Sequence, residues 1–322
     1  FGRANYTLGD KYLLTASVRR DGSSRFGSGN QWGIFPSVAG AWRIIEEPFM
    51  QRFGQLSDLK LRASWGVNGN QSFGNYLFLS TYTIGDSKAM YQFGNSFVST
   101  IRPSAVDPNI KWEQTTSTNF GVDFGLYNNR VTGSVDIYSK TTDDLIFTVP
   151  VAAGTNLSNY VTTNIGSMKN SGIELGISAV VFDGKASPWR WDASFTASNN
   201  KNKIESVSGS GTDKILVGGI AGGVGNTIQV LQPGKPRDSF LVFRHKTAGG
   251  KPVTGNKPDI ELYEDINKDG AITQDDKVAY KQPQPTWVLG HTSSVSWKNW
   301  DASATARMYL GNYVYNNVAS TQ

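Results

Sequence analysis

The sequence has no cysteine, which removes disulfides, thiol nucleophiles, iron–sulfur clusters and cysteine-ligated zinc together. Only two histidines occur, His245 and His291, too few and too far apart for an imidazole metal site or a histidine relay. No apolar run approaches the roughly 18 residues of a membrane-crossing helix, although a membrane can also be crossed by strands. Charged side chains make up 18% of the chain, below the usual quarter, which argues against a long polar helix or a disordered protein. Glycine is abundant, at 35 of 322 residues, but has no three-residue period, so collagen is excluded. The net charge of +5 is scattered instead of gathered into a stripe, and no nucleic-acid partner is expected.

Period-two alternation is present from one end to the other. At 300–310, Trp300, Ala302, Ala304, Ala306, Met308 and Leu310 share one face, and Asp301, Ser303, Thr305, Arg307 and Tyr309 share the other. Similar splits occur at 58–68, 130–138 and 190–198, with weaker ones at 11–19, 32–44, 119–126, 172–181 and 286–297. These make nine candidate strands of about ten residues, and no amphipathic helix competes with them. Soluble strands average five or six residues, whereas membrane-spanning ones need nine to eleven.

The connections alternate in length. Short ones are 45–57, Asn128-Asn129, 183–188 and Lys298-Asn299; long ones are 20–31, 69–111, 144–165 and 201–285. In an up-and-down meander, alternate connections lie at opposite ends, so the long loops all share one side, as in an outer-membrane barrel. Trp287 and Trp297 share a face of one strand. Ten steps of ~3.3 Å at a ~40° tilt separate them by ~25 Å, the height between aromatic girdles. His291 and Ser293 also fall on that face, which calls for a bulge, a shifted register or loop contacts. One face of almost every strand carries small polar and charged residues, as a wet or plugged lumen requires.

Four distinctive blocks are Arg20-Asp-Gly-Ser-Ser-Arg-Phe-Gly27, Gly33-Ile-Phe-Pro-Ser-Val-Ala-Gly-Ala-Trp-Arg43, Leu59-Lys-Leu-Arg-Ala-Ser-Trp-Gly-Val-Asn-Gly-Asn70 and Lys111-Trp-Glu-Gln-Thr-Thr-Ser-Thr-Asn119. Asp136-Ile-Tyr-Ser-Lys-Thr-Thr-Asp-Asp-Leu145, Asn164-Ile-Gly-Ser-Met-Lys-Asn-Ser-Gly-Ile-Glu-Leu175 and Asp265-Ile-Asn-Lys-Asp-Gly-Ala-Ile272 follow. In this order the blocks resemble the SusC/RagA family of TonB-linked outer-membrane transporters from Bacteroidetes-type bacteria. The resemblance implies an all-β, antiparallel, up-and-down transmembrane barrel of about 22 strands with a plug. It further implies TonB-dependent import of oligosaccharides or peptides across the cell outer membrane. Expected partners are a SusD-type surface lipoprotein, TonB-ExbB-ExbD acting through an N-terminal region, outer-membrane lipid and the glycan or peptide substrate. No enzymatic activity is expected. Residues 1–322 read as part of the barrel domain, without plug or final strands, since nine strands cannot close an even-stranded barrel. A surface-exposed β-rich glycan-binding or adhesin module is the alternative.

The 201–285 connection is expected to be extracellular and carries one motif with chemistry. Asp265, Asn267 and Asp269 fall at positions 1, 3 and 5 of a calcium loop, with Gly270 at 6 and the Ala271 carbonyl at 7. Asp275 and Asp276 follow, with Asp276 at position 12 where an EF-hand has glutamate. Calcium is the cofactor this spacing suggests; a polar turn is the alternative. Asp143-Asp144 reads as a strand end rather than a catalytic carboxylate pair, and the glycine run 218–225 as a loop lacking the Lys-Ser/Thr of a phosphate cradle. Tyr76, Phe78, Tyr82, Tyr91, Phe93 and Phe97 make the 70–98 loop aromatic; they could stack on sugars or pack the loop.

Overall fold

The computed structural model describes the chain except residues 84–89, 100, 152–157, 159, 185–186, 208–213, 221–226 and 321–322. Most of the glycine run therefore lies outside the described residues. Ten strands form one antiparallel sheet, each paired with its neighbour in chain order. They are β1 (Gly2–Leu8), β2 (Tyr12–Gly22), β3 (Trp32–Arg43), β4 (Leu56–Asn70), β5 (Glu113–Leu126), β6 (Val131–Asp143), β7 (Ser167–Asp183), β8 (Trp189–Ser206), β9 (Trp287–Trp297) and β10 (Trp300–Leu310). The fold class is all-β and up-and-down, with β1 and β10 at the edges of the described sheet.

Alternation alone picks out nine strands. The additional one is β1, whose seven residues are too short to stand out, although Ala4, Tyr6 and Leu8 alternate with Arg3, Asn5 and Thr7. With ten strands, the parity reasoning built on nine no longer holds. Several strands are also longer than alternation suggests: β7 has 17 residues and β8 has 18. At ~3.3 Å per residue these outreach the hydrocarbon layer. Their far ends leave the lipid, where an apolar outward face is no longer required and the alternation fades. Asp21, Gly22 and Asn70, which have turn-forming chemistry, sit in these extended ends.

The two faces separate by register. One ladder row crosses all ten strands: Leu8, Tyr12, Trp42, Leu61, Val122, Val135, Leu175, Ala197, Leu289 and Met308. Every member is apolar or aromatic. The row starts beside the short β1–β2 turn and ends two residues from the opposite end of β10, the climb that tilted barrel strands produce. Flanking residues on this face stay open to the surroundings, with Phe120 61% and Ile137 57% exposed. An apolar face that the protein leaves uncovered is the face that lipid covers.

Trp189 pairs with Trp297, and Trp297 with Trp300, at the short-turn ends of β8, β9 and β10. The Trp189 and Trp297 rings stack at 5.5 Å, forming one arc of an aromatic girdle. Strand β9 is regular through both pairings, so neither a bulge nor a shifted register is needed. Ser293 accepts the Trp191 indole N–H at 2.6 Å, which accounts for a hydroxyl on the apolar face. His291 stands on the same regular strand between Phe195 and Ala306.

The buried apolar clusters lie towards the long-loop end. Phe26, Phe35, Ile110 and Trp112 form one; Val149, Ile165, Ile204, Val207, Ile215 and Leu231 form the other. The barrel wall needs no core of its own, because ladder hydrogen bonds and lipid burial stabilise it. The loops face water and must bury apolar area against each other.

Candidate functional site: the inner wall and the loops above it

The face opposite the apolar row carries the polar side chains. Lys60, Asp123, Ser134, Gly176, Thr196, Gly290 and Arg307 occupy successive positions of one inner row. Its neighbour runs Asp58, Gly125, Thr132, Ser178, Ser194, Thr292 and Thr305, ending in a Thr292–Thr305 hydroxyl contact of 3.1 Å.

Arg62 organises the charged part of this wall. Its Nε and Nη2 donate to Asp123 at 2.9 and 2.8 Å, and Nη2 reaches Asp136 at 3.0 Å. Lys60 adds a 2.8 Å pair to Asp123. Arg62 and Asp136 sit on β4 and β6, with Gly121 of β5 between them. A Cβ on Gly121 would come within 2.6 Å of both Arg62 Nη2 and Asp136 Oδ1, so the missing side chain lets the guanidinium lie across a strand. Two cations are thereby matched to two carboxylates. Hydroxyls, glycines and closed ion pairs make a wall along which polar solutes or a polar plug can lie. Alternation places these residues on the inner face but does not reveal the pairing, which depends on Gly121.

The long connections pack together beyond the strand ends. Phe78 packs onto the Phe26–Trp112 cluster, whereas Tyr76, Tyr82, Tyr91, Phe93 and Phe97 remain exposed. Of the aromatic set, one member packs and five face outward. Gly69 lies against the Phe35 and Trp112 rings with no room for a side chain. Asp144 takes a positive φ of 56° just after β6 and pairs with Lys111 at 2.9 Å, the turn expected there. Because β8 reaches Ser206, the next connection begins at residue 207. It contains a four-stranded sheet of Ile215–Gly219, Thr227–Leu231, Ser239–Val242 and Val278–Tyr280.

Within that connection, the Asp265–Asp276 stretch is tightly turned. Asp265 accepts the Lys268 and Gly270 amides at 2.7 and 2.9 Å. Asn267 Oδ1 accepts from the Asp269 amide at 3.0 Å, and Asp269 Oδ1 from the Ala271 amide at 2.9 Å. Lys268 and Gly270 adopt φ of 61° and 86°. Asp275 lies exposed beside the fully buried Asp276. Asp276 accepts the Ile266 and Thr273 amides at 2.8 and 2.7 Å, closing the loop on itself in a capping box with Thr273. These donors, the Thr273 amide first, hold the Asp276 carboxyl below its usual range. Among the described residues, no three His, Asp or Glu side chains converge into a metal-holding group.

The family description "TonB dependent receptor-like, beta-barrel" matches residues 1–322. The chain belongs to that family. It is an outer-membrane β-barrel sequence, in keeping with its apolar outward face, and the alternative of a surface-exposed β-rich glycan-binding or adhesin module is set aside. The TonB-dependent receptor SusC of Bacteroides thetaiotaomicron is 39% identical over 327 residues, covering 100% of this chain and 32% of the relative. TonB-dependent receptor P26 of Formosa agariphila is 32% identical, covering 98% and 32% respectively. The solved RagAB peptide transporter superposes at a TM-score of 0.80 with 27% identity, over 98% of this chain and 33% of that one. The SusC/RagA resemblance therefore holds along the whole chain. The receptor barrel described here spans about a third of the length of the curated relatives it matches.

Proposed function

We propose that the protein containing this barrel segment is an active importer of oligosaccharides or peptides across the outer membrane. It is driven by TonB-ExbB-ExbD and served by a SusD-type lipoprotein docked on the long-loop side. The observation that carries this reading is the pairing of an uninterrupted apolar outer row with a polar inner wall, in a chain similar to SusC from end to end. The test is uptake by cells carrying the full-length protein. Import should stop on removal of TonB, and on deletion of the neighbouring lipoprotein gene if one is encoded. Uptake that survives loss of TonB would contradict the reading.

We also propose that Asp265, Asn267, Asp269, the Ala271 carbonyl and the Asp275–Asp276 pair form a calcium loop. Support comes from the spacing and the hard oxygen donors, with Asp265, Asn267 and Asp269 already drawn around Gly270 by amide hydrogen bonds. Calcium there would relieve the carboxylate repulsion. Asp265→Ala with Asp269→Ala should increase protease cleavage within 255–284, and chelation should do the same to the unmodified protein. Cleavage indifferent to both would reduce the motif to a turn.

A further inference from the structure

Near their long-loop ends, the inner faces of β7 and β8 carry amides in place of hydroxyls. Asn170 stands opposite Asn202, whose Nδ2 donates to Asn170 Oδ1 at 2.7 Å. One inner position towards the membrane, Gly172 stands opposite Asn200. Tyr138 of β6 lies against Gly172, where a side chain would collide with its hydroxyl, and donates to Asn200 Oδ1 at 2.9 Å.

The connection between β8 and β9 returns over this patch twice. At the first pass, the Arg237 amide donates to Asn202 Oδ1 at 2.7 Å, and the Arg237 guanidinium pairs with Asp238 at 3.2 Å. At the second, Gln282 Nε2 donates to the Gln284 carbonyl at 3.1 Å, while Gln284 Nε2 approaches Asp238 at 3.4 Å. A cavity of about 280 Å³ remains between wall and loop, with Met168 as an apolar patch in its lining.

Among the described residues, Asn170 Nδ2 and Asn200 Nδ2 have no protein partner, and neither do Gln282 Oε1 and Gln284 Oε1. The cavity therefore presents both donors and acceptors. Its one cation and one anion are closed on each other, leaving no net charge. We propose that this cavity is a binding subsite for one unit of a neutral oligosaccharide, at the outer entrance to the lumen. This deepens, and rests on, the import reading above.

Neighbouring sugar hydroxyls each donate and accept, and a carboxamide places an acceptor and two donors side by side to meet them. A charged glycan finds no unpaired counter-ion here. A peptide bound as an added strand would need an unpaired backbone edge. The lining stretches of β7 and β8 are hydrogen-bonded to each other, and β7 is paired with β6 on its other side. Beyond the end of its β9 pairing at Asn199, β8 is bridged by backbone bonds from the Asn200 amide to Thr286 and between Ile204 and Gly234–Lys235, which leaves no continuous edge for an added strand.

The test uses the full-length transporter in detergent, titrated calorimetrically with neutral α-glucan, β-glucan and β-mannan hexasaccharides. A uronic-acid hexasaccharide and an uncharged hexapeptide are run in parallel. At least one neutral glycan should bind, with Kd raised tenfold or more by combined Gln282→Ala and Gln284→Ala, and several-fold by Asn170→Ala. The glutamine changes spare the backbone bond from the Tyr313 amide to the Gln282 carbonyl, and unchanged heat-modifiable gel migration will verify the barrel. The subsite is overturned if no neutral glycan binds, if binding is unchanged in both variants, or if the peptide or uronate ligand is the one whose binding the variants abolish. TonB-dependent glycan uptake that the variants leave unaltered would reject the subsite while sparing the importer. Loss of all TonB-dependent uptake in the unmodified protein would instead reject the importer.

Discussion

Ala304 and Thr305 are adjacent in sequence but face different solvents. Ala304 lies on the apolar face of β10 opposite Ser293, and Thr305 meets the Thr292 hydroxyl at 3.1 Å on the inner face. Arginine at Ala304 would place a charge in lipid near mid-membrane and should cost about 2–4 kcal/mol of barrel stability. At Thr305 the charge enters the lumen, and the cost should be much smaller. Heat-modifiable migration of the full-length protein compares the two, and equal losses would mean that the register is wrong. Glu47, in the 44–55 connection after β3, accepts from Lys11 Nζ at 3.0 Å, Tyr12 OH at 2.9 Å and Trp42 Nε1 at 3.1 Å. The Lys11 bond first, then the others, lower its carboxyl below the ordinary 4.5. A lowered carboxyl stabilises the fold fully above 4.5 and loses that contribution as pH falls through the folded value. Glu47→Gln should therefore be less stable than the parent at neutral pH, with the gap closing on acidification below that point. A gap independent of pH would show that the three hydrogen bonds do not depend on the charge.

At the scale of elements, the barrel wall and the loops over it are stabilised by different physics. Ile204 is fully buried at the loop end of β8, packed with Val149, Ile165 and Leu231. Ile204→Ala should cost about 2–5 kcal/mol of local stability through lost burial and the cavity left behind. The expected reading is faster amide exchange in Ile215–Gly219 and Thr227–Leu231, with barrel migration unchanged. Exchange that accelerates equally in β9 and β10 would mean that the loop core and the wall unfold as one unit. The same division explains what the sequence reveals. Inside the lipid, Leu61, Val122 and Val135 alternate with polar neighbours because two solvents enforce it, and the strands are legible. Outside it, residues such as Asn199–Lys203 continue β8 without that constraint, and only pairing shows them to be strand. The calcium-loop spacing is legible too, but the inward turn of Asp276 to cap Thr273 depends on tertiary folding. The Arg62 cluster and the Asn170–Asn202 amides are equally hidden, because each is assembled across strands.

For the whole molecule, the claim with most consequences is that this chain crosses the outer membrane with its long connections outside and its short turns in the periplasm. Its lack of cysteine supplies a clean background for single thiols. Lys268 lies exposed in the long 207–286 connection, and Lys298 is exposed in the short turn between β9 and β10. In the full-length protein, freed of any other cysteine, Lys268→Cys should be labelled in intact cells by a maleimide too large to pass the outer membrane. Lys298→Cys should be labelled only after that membrane is permeabilised. Labelling of both positions in intact cells, or of Lys298→Cys alone, would contradict the assigned topology.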